Sequence, residues 1–458
     1  MLVSKKSPGT PTVRQAKLPP QTALYPVGQP VKKVLDNGLT VIVDRIPGKL
    51  LSSLVILVHA GAIDSDEGVA HFAEHIVCDG STAPGLQSCE ELRNTLLNVG
   101  QGLNASTNLI FTNFSARVQN EDIFVPLSSY LDIIFSPRVA EDSINKHREI
   151  ILRELALEQN GERTDDEQNP GKLYRELMSK LYNNHPIFDI EVLGSKESIS
   201  SINRSRVLAF LSKLYTPDNI VISICGDCDP DEIFRFVENK VGSIKGKRDK
   251  NPFPPLRFTP AVLTNNTLAQ SEHALLGIAT EGPTNFDDPI HRQATLLLCG
   301  GLQERMFEEI REKRKIDYSP GTSYNPDHIS GRFLIRVDAI EERVKETLGI
   351  LSDEIKKLKR EGLSEEEFKK LKTAVKLFCL DRFEKADFRA TANAITTLTM
   401  NRLPELYEEL ESLFSVHNDE VIAQANRLLR ANQMGLIAVG KKDLPSEDIL
   451  RELLQRVD

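Results

Sequence analysis

The chain has 458 residues, too many for a single core of ordinary domain size, and its 40% hydrophobic and 27% charged content suits a folded protein with sizeable cores. A formal net charge of -9 argues against the broad basic footprint that nucleic acid requires. No apolar run reaches the roughly 20 residues that cross a bilayer, which argues against membrane insertion, and six scattered cysteines are too sparse for a disulfide scaffold.

Residues 1–30 carry Lys5, Lys6, Arg14 and Lys17 and no acid. This matches an organelle transit peptide in charge alone, because six prolines before Val31 would break the amphipathic helix such a peptide needs. A flexible tail on a cytoplasmic protein is the expectation. From Val31, VKKVLDNGLTVIVDR predicts two strands joined at Asp36-Asn37-Gly38, and LSSLVILVHAGA predicts a third. Glu67 to Val77 has helical spacing, and Ser88 with Glu91 forms a capping box that opens another helix through Leu97. Residues 104–118 return to strand character, and helices are predicted at about 121–135 and 141–160.

Residues 202–242 are echoed near the C-terminus by NDEVIAQANRLLRANQMGLIAVGKKDLPSEDILRELL. Each copy runs from a helix to an apolar strand ending at Gly226 or Gly440, then a Pro-containing turn and a helix. The chain is therefore expected to hold two homologous α+β domains, each a mostly antiparallel sheet with helices layered on it. Their spans are 31–245 and 263–458, and the proline-rich, charged stretch 246–262 suits an extended linker. Cys225 and Cys228 form a C-x-x-C, but they close an apolar run with no second cysteine pair or nearby histidine. A strand end is favoured over a redox or metal role.

His71-Phe72-Ala73-Glu74-His75 lies inside the helical stretch, so both imidazoles fall at i and i+4 on one face and can share an ion. Glu74 stands beside them, where a carboxylate can take a proton from an attacking water. A catalytic zinc site takes three protein ligands. The later helix HREIILRELALEQNG offers Glu149, Glu154 and Glu158, and helical spacing alone leaves Glu154 and Glu158 on nearly the same face. The bland alternative is a pair of hydrogen-bonded histidines at a core edge. The apolar neighbours weigh against it, since three clustered ionisable groups are costly to bury without a metal.

Several segments in order resemble the pitrilysin family, the insulinase-like and processing-peptidase zinc enzymes. LDNGLTVIV is similar to the family's first hairpin, GVAHFAEHIVCDGS to its inverted zinc helix, NASTN to the strand start that follows, and HREIILRE to the segment that ends in the third ligand. YTPDNIVISICGD and LLLCGGLQERMFEEIREKRKIDYS resemble a late first-domain strand and the second-domain signature. The resemblance implies Zn2+ held by His71, His75 and Glu154, with Glu74 as general base. It also implies that Arg311 and Tyr318 bind and polarise the substrate. A two-domain member is expected to pair as a homodimer or with a related subunit, Arg311 and Tyr318 then serving in trans. The implied activity is endopeptidase cleavage of peptides or unfolded protein segments. Two departures stand out: the family's helper glutamate is His147, and the aromatic usual after Asn104-Ala105 is Ser106, with Phe111 and Phe114 further along. An imidazole lacks the fixed negative charge of a carboxylate, so a non-catalytic partner subunit of a heteromeric processing peptidase is the rival expectation.

Overall fold

The computed structural model describes residues 28–161, 170–248, 255–266, 273–326, 329–441 and 444–458. The expected flexible tail and residues 249–254 of the expected linker lie outside the described residues.

Val31–Val34 (β1) and Thr40–Arg45 (β2) pair antiparallel across the predicted Asn-Gly turn. With Leu51–Val58 (β3), Ala105–Thr107 (β4), Thr112–Gln119 (β5) and Ile220–Gly226 (β6) they make a six-stranded sheet in the order β1-β2-β6-β3-β5-β4. Strands β2 and β6 run parallel, and every other neighbouring pair is antiparallel. A second, five-stranded sheet joins Val262–Asn265 (β7), His273–Glu281 (β8), Gly321–Pro326 (β9), Gly331–Ile340 (β10) and Gly435–Val439 (β11) in the order β7-β11-β8-β10-β9. It too has one parallel pair, β7 with β11. The second sheet repeats β2-β6-β3-β5-β4 strand for strand, so the duplication read in the sequence is a duplication of topology. The architecture is α+β with two homologous halves, as expected.

All seven positions of β6 are buried, which fits a strand covered on both faces. On one face Ile222 and Ile224 join the core of the first half, packed with Phe72 and Ile76. On the other, Val221 and Cys225 meet a helix from the second half, Ala386–Met400, whose Ala386, Ala390 and Ala394 lie at i, i+4 and i+8. The exchange is mutual. The helix Pro170–Leu181, from the first half, packs Leu177 and Leu181 against Leu275, Ala279, Ile437 and Val439 of the second sheet. Its Tyr174 ring lies so close to Gly277 that a Cβ there would stand 2.3 Å from the ring.

Candidate metal centre

The helix Val69–Val77 buries Val69, Ala70, Phe72, Ala73, Ile76 and Val77 in the core of the first half. Its apolar stripe leaves His71, Glu74 and His75 on the opposite side. Gly68 starts the helix at φ +80°, and a Cβ there would meet the Leu193 carbonyl oxygen at 3.1 Å, so both the backbone twist and the close approach call for glycine.

Glu154 reaches the same face from the helix Glu141–Gly161. Its Oε2 lies 3.5 Å from His75 Nε2 and 3.9 Å from His71 Nε2, and one donor atom from each of the three residues falls within 4.8 Å of the others. Donor atoms around one tetrahedral zinc-sized ion stand about 3.4 Å apart, so the cluster is near the spacing a single ion needs. Among the described residues no other group of three His, Cys, Asp or Glu side chains converges in this way. Burial draws His71 down to about 4, and burial with the neighbouring His71 and His147 draws His75 down to about 3, so both rings are neutral electron-pair donors at neutral pH. His71 Nδ1 is buried with no hydrogen-bond partner. These observations fit a divalent metal. Of the three glutamates offered by the sequence, Glu149 is exposed beside Arg153, and the Glu158 side chain lies outside the described residues.

Glu74 is 7% exposed. Burial pushes it up to about 7, against the lowering effect of Thr107, whose Oγ1 donates to Glu74 Oε2 at 2.6 Å, and with a further rise from the charge of Glu154. A carboxyl poised near neutrality beside a cluster able to hold a metal suits a general base. Thr107 escaped the sequence reading because nothing in the order of residues pairs a strand-end threonine with a glutamate 33 positions earlier.

His147 is buried, its ring centroid 5.5 Å from that of His75 and its Nε2 2.9 Å from Asp79 Oδ1. His147 carries no fixed negative charge of its own, and Asp79 places one directly against its ring. Burial alone would raise this carboxyl, but His147, Lys146 and Ser143 outweigh it and hold Asp79 far below the usual range. Asp79 was also missed in the sequence, although its position four residues after His75 continues the line of His71 and His75.

The cluster opens into a cleft of about 860 Å³ between the two halves. Ser106 and Thr107 of β4 lie on one side, Arg175 and Met178 of the exchanged helix on another, and Ser330, Arg332 and Leu334 come from the second half. Phe111 and Phe114 are not among its lining residues: Phe114 is fully buried in the core and Phe111 packs towards the Ala386–Met400 helix. Arg311 and Tyr318 do not line it either. They stack on each other, the guanidinium 4.2 Å from the Tyr318 ring centroid, and Tyr318 is 78% exposed. Cys225 and Cys228 are buried at the end of β6 and beyond it, and burial pushes both thiols up, opposite to a reactive cysteine.

Known proteins point the same way. Residues 40–187 match the family model described as insulinase, peptidase family M16, and residues 201–375 match the one described as peptidase M16 inactive domain. An uncharacterized zinc protease of Mycobacterium leprae is 26% identical over 436 residues, covering 91% of this chain and 94% of that one. The uncharacterized zinc protease YmxG of Bacillus subtilis is 24% identical over 425 residues, 90% and 98% of the two chains. The fold is shared with the first half of the periplasmic protease PqqL from Escherichia coli, at a TM-score of 0.76 and 17% identity over 93% of this chain and 96% of that one. With both halves matched in order, the chain belongs to the insulinase-like, or pitrilysin, peptidase family M16.

Proposed function

We propose that the chain is a zinc-dependent endopeptidase acting on peptides or unfolded protein segments. The observation that carries this is the convergence of His71, His75 and Glu154 beside a buried Glu74, all four lining a cleft of about 860 Å³. His71, His75 and Glu154 would hold the ion. Zinc, when bound, supplies Lewis acidity toward water and the scissile carbonyl. Glu74 takes the proton of the attacking water, with Thr107 holding one of its carboxylate oxygens, and passes that proton to the departing amine. The zinc-protease names of the relatives support the metal and the reaction class.

Arg311 and Tyr318, stacked away from the cleft of their own chain, are assigned to the cleft of a second chain in a homodimer or a heterodimer with a related subunit. A guanidinium and a phenol there would donate to the developing oxyanion. The rival role, a non-catalytic partner subunit, draws on the inactive-domain description matched by residues 201–375.

Zinc content and cleavage of a fluorogenic peptide library decide between them. The wild type is expected to carry one zinc per chain and to cleave, and Glu74→Gln to keep the zinc and lose turnover. Zinc without turnover in the wild type, alone and with related subunits, would favour the scaffold. Mixing Glu74→Gln with Arg311→Ala chains restores activity if sites are shared, and no rescue counts against sharing.

A further inference from the structure

The three candidate ligands sit on two helices, His71 and His75 on Val69–Val77 and Glu154 on Glu141–Gly161. Glu154 has the most exposed side chain, at 42% against 13% and 16% for the histidines, so its position depends on where its helix lies. One buried carboxylate ties the end of the first helix to the second. Asp79, 4% exposed, stands one turn beyond His75 and receives three side chains of the second helix. Ser143 Oγ donates to Oδ2 at 2.5 Å, Lys146 Nζ donates to Oδ1 at 2.6 Å, and His147 Nε2 lies 2.9 Å from the same Oδ1.

We propose that Asp79 is the positioning residue of this metal centre, setting the register of the two helices and thereby bringing Glu154 to the imidazoles. The proposal rests on the zinc-peptidase function above and adds a residue to it that touches neither metal nor substrate. The geometry is that of a lever. Glu154 lies seven residues, about two helical turns, beyond His147 on one helix, while Asp79 lies four residues beyond His75, just past the Cys78 C-cap of the other. A slip of one residue along a helix is about 1.5 Å, whereas a metal-ligand bond tolerates about 0.2 Å. Two donors one turn apart, Ser143 and Lys146, with the His147 ring against the same carboxylate, leave little freedom to slip. A merely stabilising contact would have no reason to act through Glu154, and that difference can be measured.

Zinc affinity of the full chain is titrated by chelator competition for the wild type, Asp79→Asn, Glu154→Gln and the double variant, with the melting temperature of each metal-free chain alongside. Because Asp79→Asn removes a buried charge, a second route, Ser143→Ala with Lys146→Met, loosens the same network from the other helix. Each route is expected to weaken zinc binding by about 10- to 100-fold, and to have almost no further effect once Glu154 is Gln. Equal losses with and without Glu154, or folded variants with wild-type affinity, would overturn the proposal while leaving the peptidase function standing. A wild type that binds no zinc would overturn both.

Discussion

Arg389 and Asp44, 345 positions apart, form a bidentate ion pair with both charges buried: Nε and Nη2 each donate to a different carboxylate oxygen at 2.7 Å. Asn393 Nδ2 adds a longer bond to Asp44 at 3.3 Å. The pair pins the exchanged helix Ala386–Met400 to β2, and with it the second half to the first.

Removing one partner strands a charge in the interior. Arg389→Ala is expected to lower the unfolding free energy by about 3–5 kcal/mol, read from urea unfolding. Replacing both groups, Asp44→Leu with Arg389→Met, should recover most of the loss, because a well-packed apolar pair need not be weaker than a buried ionic one. A single variant that unfolds like the wild type would remove this pair as the tie between halves.

Metal and stability are linked. With free zinc at about 100 times its dissociation constant, the folded chain gains about 2.7 kcal/mol over the chelated chain. Differential scanning calorimetry with and without chelator should show the gain, and Glu154→Gln should shrink it at the same zinc concentration. An undiminished shift in that variant would mean another group supplies the third ligand.

Titration of the metal-free chain has a sign that follows from burial. Glu74 rises from its ordinary value of 4.5 to about 7, so the folded state holds a proton that the unfolded state releases between these values. Its contribution is fully present below pH 4.5 and is lost as pH rises through about 7, a swing of about 3 kcal/mol. His71 and His75 act oppositely: their pKa values fall from 6.5 to about 4 and about 3, so stability is lost as pH drops below 6.5. Glu74→Gln keeps only the histidine contribution. In chelator, its stability relative to wild type should therefore climb between pH 4.5 and 7, measured by urea midpoints across that range, and a flat difference would contradict the assignment.

Tyr174 can approach the second sheet this closely only because position 277 has no side chain. Gly277→Ala should cost about 1–3 kcal/mol through overpacking and should weaken peptide binding, because Tyr174, Arg175 and Met178 all line the cleft. Gly349, in the helix Val344–Glu361, is the control: a methyl there meets nothing within 4 Å. Gly349→Ala should raise stability by about 0.5–1 kcal/mol. The comparison needs only melting curves and a fluorescent peptide titration.

Much of this molecule was legible in the order of its residues, because the signals concerned are local. The Asn37-Gly38 turn appears where it was expected, and Ser88 caps its helix with the side chain accepting from the Glu91 amide. The helical period alone placed His71 and His75 on one face with Glu74 beside them, and the repeat of helix, strand and helix announced two matching halves. What reached across the chain was harder to see. Helical spacing left Glu154 and Glu158 equivalent, since a period says which face a residue takes and nothing about which neighbour that face will meet.

Tertiary structure alone decided the partners. It brought Glu154 to the two imidazoles, hid His147 behind His75 with Asp79 at its back, set Thr107 on Glu74, and turned Arg311 and Tyr318 toward each other instead of the cleft. It also exchanged a helix between the halves, so that each sheet is sealed by the other's chain. Apart from the Arg311–Tyr318 stack, these relationships join residues tens to hundreds of positions apart, and their energy comes from burial and matched donors in three dimensions. Periodicity records the shape of each element, whereas the encounter of two elements depends on the packing of the whole.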